Sequence, residues 1–78
     1  MNNSPVEVIQ IEPLAVGPKE AAELLGLSLS SFYAACSSGA IGPKGQKIGK
    51  RRLFPIKELQ EWCAAGMPPR REWIQRKS

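Results

Sequence analysis

The sequence predicts a small, mainly α-helical domain carrying one β-hairpin, and three observations lead there. Two short stretches with helical apolar spacing, Pro18 to Leu25 and Leu29 to Ser38, are separated by a single glycine-bearing turn. A third apolar-periodic stretch follows Pro55. Between the second and third lies Lys47-Ile48-Gly49-Lys50-Arg51-Arg52, two short runs about a Gly-X pair suited to a type II′ turn.

Each element has its own local cause. Pro18 suits the first turn of a helix, where its missing N–H costs nothing, with Gly17 before it as N-cap. Ala21, Leu24 and Leu25 then fall on one side, and Gly26 allows the left-handed turn that ends the helix. Ser28 is placed to cap the second helix with its hydroxyl, and Phe32, Ala35 and Cys36 form that helix's apolar stripe before Gly39 closes it. Ala40 to Gln46 reads as a loop punctuated by Gly42, Pro43 and Gly45. Arg51 to Phe54 returns as the second hairpin strand. Pro55 then stops the strand and starts a third helix, with Ile56, Leu59, Trp62 and Cys63 on one face and Gly66 at its end. Phe54 and Trp62 are expected in the core. Three segments result: residues 1–13 as a leader, 14–67 as the folded domain, and 68–78 as a Pro-led basic tail.

Size and composition limit the function. A chain of 78 residues holds one small domain with a modest core. No apolar run approaches the roughly 20 residues that cross a bilayer, and Met1 to Glu12 lacks the pattern of a signal peptide, so no membrane role and a cytoplasmic, nucleoid-associated location are expected. Cys36 and Cys63 stand without histidine, which argues against zinc and for two core thiols. The acidic residues are all Glu, there is no His and no Asp, and the Glu side chains sit among Lys and Arg at helical spacing. That inventory supplies no catalytic residues, no metal ligands and no cofactor site, so the chain is not expected to be an enzyme.

Charge points to a partner. Residues 1–43 carry one Lys and four Glu (1 − 4 = −3), and residues 44–78 carry ten Lys or Arg and three Glu (10 − 3 = +7). So uneven a distribution on a small chain is the footprint of a polyanion binder. The hairpin concentrates it, since Lys47, Lys50, Arg51 and Arg52 would sit on one short projecting ribbon able to grip phosphates. The first two helices suit double-stranded DNA as that polyanion. A small residue, Ala22, stands where they must cross, Gly26 stands in the turn, and Leu25, Leu27, Phe32 and Ala35 surround them, which is the steric pattern of a DNA-binding helix-turn-helix unit.

With these residues in view the chain resembles the excisionase-type winged helix-turn-helix family, related to MerR-like DNA-binding domains and including phage and mobile-element excisionases and AlpA-like regulators. The resemblance runs from about Leu14 to Met67 through PKEAAELLGLS, SSFYAACSSGAI and KIGKRRLFPIKELQEW. It implies that the helix from Leu29 to Ser38 enters the major groove, with Ser28, Ser30, Ser31, Tyr33 and Ser37 as its DNA-facing residues. It implies a wing from Lys47 to Leu53 that lies along the backbone or in an adjacent minor groove. Lys19, Lys44, Arg70 and Arg71 are further candidate DNA contacts. The chain departs from the family in placing Leu29, Ala34 and Ser37, and no Arg or Lys, on the exposed face of the reading helix. Arginine-to-guanine contacts are therefore unavailable there, and base readout is expected to be modest.

The implied function is that of an excisionase, a recombination directionality factor that binds repeated sites cooperatively and bends DNA so that a site-specific integrase favours excision. The alternatives are an AlpA-like transcription regulator and a protein-interaction adaptor using the same fold. Leu29, Leu53, Trp73 and Ile74 are candidates for contacts between copies along DNA, although Leu53 and Trp73 suit a core position equally well.

Overall fold

The computed structural model describes residues 13–77, without the side chain of Lys77. The leader expectation for Met1 to Glu12 lies outside the described residues. Elements follow in the order β1 (Ala15–Val16), α1 (Pro18–Leu24), α2 (Leu29–Ser38), β2 (Gln46–Ile48), β3 (Arg51–Pro55), α3 (Ile56–Ala64) and α4 (Arg70–Lys77). The chain is a winged helix-turn-helix, mostly helical with a small antiparallel sheet.

The helix pair forms for the local reasons visible in the sequence. Pro18 occupies the start of α1, and the turn runs through Gly26 at φ 76°, a left-handed conformation that glycine adopts without steric penalty. The Leu27 N–H bonds the Ala22 carbonyl at 2.8 Å, which closes the turn. Ser28 caps α2, its Oγ accepting from the Ser31 N–H at 3.1 Å. A cap of this kind contributes about 1 kcal/mol.

The face of α1 is not the expected one. Ala21 and Ala22 are fully buried and Leu25 is partly so, but Leu24 is 61% exposed. Two adjacent alanines let the α1 backbone approach α2 closely, and that rotation carries Leu24 out of the interface. Phe32 is completely buried at the crossing and meets Phe54 edge-on, with ring centroids 5.3 Å apart.

The sheet has strand order β1-β3-β2. β2 and β3 form the hairpin, with Lys47 opposite Arg52 and Ile48 opposite Arg51. Gly49 has φ 62° and Lys50 is not among the positive-φ residues, which fits the type II′ geometry expected of Gly-X. β1, which the sequence did not predict, pairs Ala15 with Pro55 and Val16 with Phe54. Two residues are too few to show a period of two, so such a strand is recognisable only through its partner.

The core includes Val16, Ala21, Ala22, Phe32, Ile41, Phe54, Leu59, Trp62 and Trp73. Phe54 and Trp62 are therefore core residues, as expected. Leu53 is half-buried and Leu29 exposed. The loop after α2 is more than a connection, because Ile41, Gly42 and Pro43 are buried. A Cβ on Gly42 would lie 2.5 Å from the Trp62 indole nitrogen and 2.9 Å from Trp73 Cβ, so the two tryptophans close around a residue that must lack a side chain.

The basic tail forms α4 and folds back. Trp73 is only 6% exposed, and its indole N–H donates to Glu58 Oε2 at 3.0 Å. The Trp62 indole N–H donates to the Pro68 carbonyl at 2.7 Å, tying down the segment that leads into α4. Of the two open readings of Trp73, the core position is the one it occupies. Cys63 corrects a further expectation. It is exposed beside Leu24, Leu25 and Leu59, because Leu59 and Trp62 take the inward face of α3 and Cys63 falls at its edge.

Candidate nucleic-acid interface

The wing and α2 meet along one groove of about 440 Å³, lined by residues from α1, α2 and the hairpin. α2 contributes Phe32, Tyr33, Cys36 and Ser37, and the wing contributes Lys50, Arg51, Arg52 and Phe54. No acidic side chain lines it. The sheet register explains the juxtaposition. Phe54 is buried against Phe32, so the strand that anchors the wing is packed on α2, and the residues preceding Phe54 must run out past the exposed side of that helix.

The α2 candidates divide by geometry. Tyr33 is 52% exposed and lines the groove, with its ring edge-on to Phe32 at 6.2 Å, so the ring is supported on one side while much of the side chain stays accessible. Ser37 lines the groove, and Ser30 is exposed. Ser28 and Ser31 are already engaged with each other: Ser28 Oγ donates to Ser31 Oγ at 2.9 Å while it caps the Ser31 N–H. Their hydroxyls are thus partly spent on starting the helix.

The wing candidates divide similarly. Lys47, Lys50 and Arg51 are exposed, and Lys47 faces Arg52 directly across the ladder. Like charges so placed repel, which an approaching polyanion relieves. Arg52 Nη1 donates to the Lys44 carbonyl at 2.8 Å, so this cation also holds the loop from Gly42 to Gly45 against the hairpin. The Arg51 guanidinium lies close to Gly17, 3.1 Å from where a Cβ would stand, and so reaches the start of α1.

The outlying candidates scatter. Lys19 is exposed on α1, and it is the neighbouring Pro18 that lines the groove. Lys44 is exposed, with its carbonyl holding Arg52. Arg70 is half-buried and Arg71 exposed at the start of α4, next to the C-terminal end of α2. Sequence reasoning did not place Pro18 or Cys36 in the groove. Apolar spacing marked Cys36 as core, and only the approach of the wing shows that one side of it also faces the groove.

Cys36 is where burial and charge compete. Burial pushes its thiol above the ordinary value, and the Arg70 and Arg52 guanidinium groups pull partly in the other direction. The net rise keeps Cys36 protonated at neutral pH, and partial burial limits access to it. Cys63 is free and exposed. An alkylating reagent at pH 7.5 is expected to modify Cys63 first and Cys36 more slowly, as read by mass spectrometry of partially labelled protein; equal initial rates would contradict the placement of Cys36.

Among the described residues there is no group of three potential metal ligands, and no helix is long and apolar enough to cross a membrane. No curated protein and no solved structure matches the chain. A family model, that of the helix-turn-helix domain, matches residues 16–67, the span that contains the helix pair, the wing and the groove between them. The chain therefore belongs to the helix-turn-helix domain family, in its excisionase and AlpA-like branch, and is a DNA-binding helix-turn-helix protein.

Proposed function

We propose that this protein is an accessory DNA-binding factor of the excisionase kind, which binds repeated sites as several copies and bends DNA so that a site-specific integrase favours excision of a mobile element. One observation carries the reading. The groove takes its cations from the wing, Lys50, Arg51 and Arg52, while α2 offers it Tyr33, Cys36 and Ser37. Lys47, Lys50 and Arg51 grip phosphates, which supplies salt-dependent affinity with little sequence information. Ser30, Ser31, Tyr33 and Ser37 face the bases, where a serine hydroxyl discriminates weakly because it bonds to donors and acceptors alike.

A protein built in this way gains selectivity from DNA shape and from site repetition rather than from one strongly read sequence. Leu29 and Ile48, 40% and 61% exposed on α2 and the wing, are available for contacts between adjacent copies. The test is a footprint of the purified protein across its element's attachment site and promoter, paired with an integrase-dependent excision assay. Phased repeats at the attachment site and excision that depends on the protein are expected. Unchanged excision at saturating occupancy would remove the excisionase role. Protection confined to the promoter would replace it with an AlpA-like regulator, and absence of DNA binding would leave the adaptor.

A further inference from the structure

We propose that α4 is a second arm on the DNA backbone, in which Arg71 takes a phosphate on the far side of α2 from the wing and Arg70 positions it. The inference rests on α2 being the groove-filling helix. B-DNA presents phosphates along both walls of a major groove about 12 Å wide. A wing on one side of α2 meets only one wall.

The cleft on the other side sets Arg70 and Arg71 beside one acid, Glu72, on a helix whose backbone is docked. Beside the C-terminal end of α2 lies a second cleft, of about 470 Å³, whose walls include Ser38, Gly39, Arg70 and Arg71. Ser38 lies about 100° around the helix from Ser37, which lines the wing groove, so the two clefts flank α2 rather than coincide. The Arg70 N–H bonds the Gly39 carbonyl at 2.8 Å, which joins the first turn of α4 directly to the cap of α2. Trp73, one turn further on, is buried in the core and bonded to Glu58. The backbone that carries the arginines is thus held relative to α2, and only side-chain freedom remains to be lost when they meet DNA.

Arg70 and Arg71 have different tasks. Arg70 is half-buried, its Nε is buried without a hydrogen-bond partner, and it lies within electrostatic reach of Cys36 on α2. The last turn of α2 has no basic residue of its own, so Arg70 supplies the positive charge that favours its exposed carbonyl end. Arg70 is a positioning residue. Arg71 is exposed in the same cleft, next to Ser38, and is the one available to phosphate.

The test uses the full chain and a random-sequence duplex, with affinity measured by fluorescence anisotropy over a series of salt concentrations. Arg71→Ala is expected to lower the log-log salt slope by about 0.9 and the affinity about eightfold near 0.1 M salt, the counterion release of one phosphate. Arg71→Lys should restore the slope, because charge at that point is what matters. On a second duplex carrying a site at which the wild-type protein gives a defined footprint, hydroxyl-radical protection should be lost on the strand opposite the one whose protection depends on Lys50. If Arg71→Ala binds with the wild-type slope and footprint while Lys50→Ala is impaired, the second arm is wrong and the DNA-binding wing stands. If wild-type protein does not bind the duplex, the reading of α2 fails, and this inference with it. Tryptophan fluorescence of each variant, reporting Trp62 and Trp73, verifies that α4 remains docked.

Discussion

Replacing Lys47, Lys50 and Arg51 by Ala in one protein is expected to lower DNA affinity by about two to three orders of magnitude near 0.1 M salt, and to flatten the log-log salt slope by about 2.7 units. The three side chains are exposed on the hairpin, and no hydrogen bond within the described residues engages any of them. Each phosphate neutralised releases condensed counterions, so the losses multiply in affinity and add in slope. Arg52 is left in place deliberately. Its guanidinium donates to the Lys44 carbonyl, and removing it would disturb the loop that carries Gly42 and Pro43 as well as any DNA contact.

The fold should tolerate the triple change, because none of the three contributes to the core and relief of the Lys47–Arg52 repulsion favours the hairpin. Affinity should fall to the same degree on specific and random duplexes. A loss confined to one sequence would mean that the wing reads bases. An unchanged slope would mean that it does not touch the backbone at all.

Gly42→Ala is expected to destabilise the fold strongly. The new Cβ would stand 2.5 Å from the Trp62 indole nitrogen, 2.8 Å from its Cδ1 and 2.9 Å from Trp73 Cβ. Neither ring is free to retreat, since the Trp62 N–H is bonded to the Pro68 carbonyl and the Trp73 N–H to Glu58. Overpacking of this kind costs about 2 to 3 kcal/mol, which for a domain of this size lowers Tm by roughly 10 to 20 °C. Thermal unfolding followed by circular dichroism measures it, and the tryptophan emission should shift to the red as one indole loses its burial. A Tm within about 2 °C of wild type would show that the tryptophans do not close around this glycine. The same substitution should also weaken DNA binding if α4 contributes an arm, because the wedge lies between α3 and the helix that carries Arg71.

The parts legible in the sequence are those whose cause is local. Ser28 announces a helix start because its hydroxyl reaches the Ser31 N–H three residues on, Gly26 a left-handed turn, and Gly49-Lys50 a tight hairpin. The groove between α2 and the wing was legible in part. The two elements and their hydroxyl-bearing and cationic residues could be named, yet the share of Arg52 given to the Lys44 carbonyl and the facing of Lys47 and Arg52 depend on register.

Misplaced residues share a reason. Leu24 and Cys63 have the spacing of a buried face, but which edge of an apolar stripe is covered depends on how far neighbouring helices rotate, and the Ala21–Ala22 pair sets that rotation for α1. The sequence by itself determined a helix pair, a basic hairpin, a third helix and a polyanion partner, since capping, turn chemistry and charge act over a few residues. Only the tertiary structure decided that Ala15–Val16 completes the sheet, that the basic tail becomes a helix anchored by Trp73, and that Arg71 shares a cleft with Ser38 and Gly39 at the end of α2. Those contacts join residues far apart in the chain, where burial of large side chains, rather than any local preference, chooses among the arrangements the backbone allows.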